Sequence, residues 1–174
     1  MFGNKSFIYG TSQCNQRIES WWSMLRKHSA QFWMNLFQGL KEDGHFTGSA
    51  LDKALIQFCF LGILQEELDQ IVYEWNTHSI SGSRNAVSPR GRPVIIFELP
   101  ELYHTTNFLC DFDNQLIEAC ERECQYFKMP CETDIYELCK ILMNEKNIEI
   151  PQDAYAAAEL YLKLKSTFLE FNIN

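Results

Sequence analysis

The sequence has no apolar run of the roughly 18 residues that a membrane-spanning helix needs. Its richest stretch, Ala54 to Leu64, is too short and is interrupted by Gln57. The opening residues, Met1-Phe2-Gly3-Asn4-Lys5, hold no apolar segment of a secretory leader, so an intracellular protein is expected. There is no C-x-x-C pair among the 7 cysteines, whose number is odd and whose spacing is irregular. Cys120 and Cys124 share a helical spacing, with Cys131 and Cys139 beyond, but isolated reduced thiols are expected rather than a zinc centre. Internal repeats and low-complexity tracts are absent. Residues 1–18 contain neither Asp nor Glu.

What is present suits a packed protein. Hydrophobic residues make up 46% of the 174 and aromatics 14%, enough to exclude a disordered chain. The net charge of −8 argues against a nucleic-acid binder, but its distribution is uneven. Residues 1–96 carry net +1 and residues 97–174 carry net −9. Two segments under different demands are expected, a core piece over 1–100 and an acidic helical extension over 101–174.

Phe7-Ile8-Tyr9 reads as the end of a buried strand, with Gly10-Thr11-Ser12 as the following turn and cap. Apolar residues then recur near a 3.6-residue period from Ile18 to Leu40, with Ser29 on the stripe. That polar residue predicts a break into two helices. Ser49 is the expected N-cap of a long helix whose inner face runs from Leu51 through Leu55, Phe58, Leu61, Leu68 and Val72 to Trp75. Residues 54–64 are apolar almost all round, which predicts burial on two sides. The helix is expected to stop at 76–78. Residues 79–93 read as a loop, and Val94 to Phe97 as a run that packs on the core or forms an edge. Three more helices are expected near 113–127, 132–143 and 152–168, with Pro130 and Pro151 near the starts of the last two. The predicted class is therefore mainly α, with at most one or two short strands.

Gly10-Thr-Ser-Gln-Cys-Asn-Gln-Arg-Ile-Glu19, followed by Ser-Trp-Trp-Ser-Met-Leu-Arg-Lys, resembles the strand–turn–helix segment of retroviral-integrase-type DDE transposase cores. There an Asn-x-x-x-Glu helix carries the third catalytic carboxylate, matched here by Asn15 and Glu19. Downstream, Tyr73-Glu-Trp-Asn76-Thr-His78 and then Ser88-Pro89 resemble the family's helix end and Ser/Thr-Pro loop. Phe97-Glu-Leu-Pro-Glu101 and the helix around 154–164 are similar to the integrase-core-domain proteins of animal genomes. The resemblance covers nearly the whole chain, as the C-terminal half of an RNase H-like core.

It implies a fold in which three carboxylates hold two Mg²⁺ ions and drive DNA strand transfer. Mg²⁺ asks for hard oxygen ligands, and two such ions steady the attacking and leaving oxygens. It also implies DNA contacts from Arg26 and Lys27, two helical turns beyond Glu19, and a position near the DNA end for His78. Arg84, Arg90 and Arg92, in a Ser/Gly/Pro loop, are candidates for phosphate contact.

Each residue has a plainer role beside the functional one. Glu19 suits a helix start through the dipole, and His78 a helix end. The arginines and Lys27 suit solvated surface. Trp21, Trp22 and Trp33 could stack on bases but at this spacing are expected in the core.

In the family both aspartates lie on strands upstream of the glutamate, and residues 1–18 supply none. Asp43, Asp52 and Asp69 come after it and are poor substitutes. The expectation is an integrase-derived polypeptide that is inert alone, with weak residual DNA affinity, no metal bound by this chain alone, and a nuclear location. The competing expectation is a non-catalytic helical interaction module. It self-associates through the apolar face of residues 49–75, left exposed where the family's sheet would lie.

Overall fold

The structure, a computed structural model, describes residues 16–81, 89–107, 113–124 and 128–171. The expected strand end at 7–9 and its turn lie outside these residues. The chain divides into two compact units, Met1–Phe46 and Thr47–Asn174. Both are helical. The described residues hold no strand, only an isolated antiparallel bridge between Ile80 and Gly91.

The first unit contains α1 (Gln16–Leu25) and α2 (Gln31–Glu42), joined by a π turn over Arg26–Ala30. The expected break at Ser29 does not occur. The Gln31 N–H instead bonds back five residues to the Arg26 carbonyl, and the helix continues with one residue inserted. That insertion leaves Ser29 buried in line with Trp33 and Leu40. Trp33 meets Phe32 edge-on and stacks on Phe37 at 5.4 and 5.9 Å between centroids. Trp22, by contrast, is 59% exposed. Gly44 ends α2 at φ 75°. There the His45 N–H reaches the Leu40 carbonyl and the Gly44 N–H reaches that of Lys41, at 2.9 and 3.1 Å, satisfying the helix's last acceptors.

The second unit is built on α3 (Ala50–Thr77). Ser49 caps it as expected, its hydroxyl accepting from the Asp52 N–H at 3.1 Å. The helix also stops where expected. Its buried face, however, is narrower than the pattern suggests. Asp52, Ala54, Leu55, Cys59 and Phe60 are buried and then only Ile71, while Leu61, Leu68 and Val72 are exposed. The reason is coverage. The covering helices α6 (Thr133–Glu145) and α7 (Ala154–Phe171) bury the proximal turns and leave one side of the distal turns open. The run 54–64 is therefore not enclosed on all sides.

Residues 93–98 form the helical turn α4 (Pro93–Glu98) rather than an edge. Pro93 sits at its start, where a missing N–H costs nothing. A short 3₁₀ turn follows over Pro100–Tyr103. Upstream, Gly91 pairs with Ile80 and lies so close to the Tyr103 ring that a Cβ would meet its hydroxyl. Helix α5 (Asn114–Glu123), capped by Asp113, is exposed throughout.

The core of this unit is the seam of α3, α6 and α7. Ala157, Leu160, Tyr161, Leu164 and Phe168 recur at helical spacing on α7 and are all buried. Cys139, Leu142 and Met143 answer from α6, and Leu55 and Phe60 from α3. Phe58 meets Tyr136 edge-on at 5.5 Å between centroids. Lys146, just past α6, donates to the Thr167 hydroxyl on α7 at 2.7 Å.

Candidate functional site

Two constellations hold charged chemistry, one in each unit. The first lies along α1. Glu19, Ser23 and Lys27 are spaced four apart, so successive turns bring them to one face. With Ser20, Met24 and His28 they line a shallow open groove. Glu19, Arg26, Lys27 and His28 are all exposed. The structure thus brings Glu19 and Lys27 together, with Arg26 outside the groove. Asn15 and Arg84 lie outside the described residues.

The remaining sequence candidates belong to the second unit. His78 closes α3, its Nδ1–H donating to the Trp75 carbonyl and its ring lying 4.8 Å from the indole. That arrangement satisfies a terminal carbonyl of the helix, the plainer of its two expected roles. Arg90 and Arg92 are exposed on either side of Gly91, where the Ile80–Gly91 bridge closes the loop.

The α1 groove does not fit a Mg²⁺ pair. It offers a single carboxylate, two hydroxyls and an imidazole, with the Lys27 ammonium on the same face. Two hard divalent ions need several bridging oxyanions, and a nearby cation opposes them. Among the described residues there is no group of three or more His, Cys, Asp or Glu side chains able to hold a metal.

The second constellation was not anticipated as a site. Asp52 is 1% exposed, yet ionised side chains rarely enter a core unpaired. Four donors meet it. Thr47 gives its N–H and its hydroxyl to Oδ2 at 2.8 and 2.6 Å. Tyr161 donates its hydroxyl to Oδ1 at 2.9 Å, and the Lys165 ammonium lies 2.6 Å from the same oxygen. Burial alone would raise the carboxyl's pKa. The Lys165 contact, then the Thr47 and Tyr161 hydrogen bonds, outweigh it and hold the group well below the usual carboxylate range. Tyr161 is pushed up by its burial and by the Asp52 carboxylate. All these groups are satisfied by one another. The node therefore reads as a structural clamp between the start of α3 and α7, with no free valence for a substrate.

One local signal was legible in advance. Thr47-Gly-Ser-Ala-Leu-Asp52 places an acid three residues after an N-cap serine, a pattern that bonds back to the preceding turn. Tyr161 and Lys165, four apart on one face of α7, give no hint of their partner.

The thiols follow the expectation of isolated buried cysteines. Cys59 and Cys139 are buried; burial, with the nearby thiol of Cys131, pushes Cys139 up to about 12. Burial likewise raises Cys59 and Cys131, so these groups stay protonated and unreactive near neutral pH.

Compared with known families, the sequence matches the one described as "Integrase core domain" over residues 2–94. The match takes in both helices of the first unit and the whole of α3, and stops inside α4. No curated protein and no solved structure matches the chain.

Proposed function

The chain belongs to the integrase core domain family, and from that premise we propose that it is an integrase-derived protein that touches DNA through α1 without joining DNA strands by itself. The carrying observation is the α1 face. It presents Arg26, Lys27 and His28 in an exposed row while offering only Glu19 as a carboxylate. Cations on an exposed helix suit phosphate contact, and a lone carboxylate does not suit a two-ion centre.

In this reading Glu19 is the ancestral third carboxylate, and residues 1–100 correspond to the C-terminal half of a eukaryotic integrase core. Asn15, His78, Arg84, Arg90 and Arg92 are secondary DNA contacts. Any Mg²⁺ chemistry would need carboxylates from outside these residues. A nuclear location goes with contact to chromosomal DNA. No described helix is long and apolar enough to cross a membrane.

The test is DNA affinity across a salt series. Each phosphate contact contributes roughly 0.9 to the slope of log K against log salt, so Arg26→Ala with Lys27→Ala should flatten it by up to about 2. No binding at low salt, or a slope unchanged in the double variant, refutes the DNA role. Magnesium-dependent strand joining by the purified chain, abolished by Glu19→Gln, refutes its inertness.

A further inference from the structure

We propose that the distal half of α3, residues 61–75, is a docking surface for a partner protein's amphipathic helix whose apolar ridge is flanked by lysine and arginine. The surface is a line of exposed apolar side chains. Leu61, Leu68 and Val72 are 44%, 39% and 46% exposed. At 3.6 residues per turn they fall within about 20° of one line and extend over about 16 Å, three turns of helix. Only one flank of this stretch is covered, at Ile71. At its proximal end Leu61 also lines an open groove of about 1360 Å³ with Phe58, Met129, Met143 and Ile150. The ridge therefore runs into a concave apolar seat, which suits a helix laid lengthwise.

Charge decides what occupies it. Glu66, Asp69 and Glu74 stand exposed beside the ridge, and α3 has no Lys or Arg after Lys53. Asp69 and Glu74 accept hydrogen bonds from Gln65 and Gln70, neutral donors that leave the negative charge in place. The groove's rim is balanced, Lys128 and Lys140 against Glu132 and Asp134, so the uncompensated charge lies along the ridge. A second copy would bring the same row of acids against itself, and an anionic lipid surface would be repelled as well. A cationic amphipathic helix meets both the apolar line and its acidic flank. The proposal is independent of the DNA reading, whose α1 face is in the other unit.

The probe is a synthetic peptide of about 14 residues, Leu-Lys-Lys-Leu-Leu-Lys-Leu repeated, which forms a cationic amphipathic helix. Its binding to the full chain is followed by fluorescence anisotropy. Two controls accompany it, a shuffled peptide of equal composition and a version with Glu in place of Lys. The amphipathic cationic peptide should bind at least about tenfold more tightly than either control. Leu68→Gln with Val72→Gln should weaken it by a similar factor, and Glu66→Gln with Asp69→Asn and Glu74→Gln should remove most of its salt dependence. Equal binding of the shuffled peptide, or an unchanged affinity in the Leu68/Val72 variant, overturns the proposal. So does a dimer of the unmodified chain in sedimentation that dissociates in that variant, since a second copy is then the occupant.

Discussion

In the first unit the described helices bury Ser29, Trp33 and Leu40 and leave Trp22, Phe32 and Met34 at the surface. In the second, Leu55, Phe60, Tyr161 and Leu164 are almost completely enclosed, around a carboxylate with four donors. The chemistry that the family would use, Glu19 and its neighbouring cations, thus stands on the unit with few buried residues. Much of the packing that stabilises this chain lies in the other unit, and part of it outside the matched segment 2–94. Family membership and structural stability are therefore separable here. The α3 helix lies within the match, but the α7 side chains that cover it do not. A recognisable ancestral segment can persist as a folded object when new packing surrounds it, even if the chemistry it once served is unsupported.

The sharpest way to break this comparison is to remove the clamp. Asp52→Ala leaves the Lys165 ammonium and the Tyr161 hydroxyl facing an apolar site, and loss of one partner of a buried pair costs about 3–5 kcal/mol. The urea midpoint of the second unit should fall accordingly; a midpoint close to the unmodified protein's would show that α3 and α7 are held by apolar packing alone. The same group sets an acid dependence. Its folded pKa is depressed, so its contribution is fully present above the unfolded value near about 3.9 and is lost as pH falls through the folded value. The unmodified protein should lose stability below about pH 4, whereas Asp52→Asn, already weaker, should show a flatter profile there.

Tyr161→Phe asks for less. It keeps the ring in the core and deletes one hydrogen bond to a charged acceptor, a loss of about 1.5–3 kcal/mol by the same urea measurement. Ser49→Ala removes only the helix cap and should cost about 1 kcal/mol. If both variants lowered stability equally, the network would be no stronger than an ordinary cap. At the small end, Glu19→Gln, exposed on α1, should shift stability by no more than about 0.5 kcal/mol, checked by thermal denaturation. A larger loss would mean that Glu19 serves the fold of the first unit.

The sequence made much of this legible where the signals are local. Ser49 announced the start of α3, and the pattern change near 76–78 announced its end at Thr77. The helices near 113–127, 132–143 and 152–168 appear as α5, α6 and α7, each shifted by a few residues. The π turn at Arg26–Ala30 was not legible, because one inserted residue and one polar residue on a stripe give the same periodicity. Nor was the helical form of α4, since a four-residue apolar run has too few positions to tell a period of 2 from one of 3.6. At the candidate site, spacing alone put Glu19 and Lys27 on one face of α1. Asp52 was visible only as an acid in the wrong place for catalysis.

The sequence by itself determined the mainly helical class, the caps and stops of the helices, and the family to which residues 2–94 belong. These depend on side chains acting within a turn or two of themselves. Which side of α3 is buried, and what Asp52 is for, were settled only by the tertiary structure. Tyr161 lies 109 residues from Asp52, and no periodicity within either helix encodes a hydrogen bond across that distance. Burial raises the energy of a charge until the fold brings its partners to it, so the partners, not the residue type, decide its role.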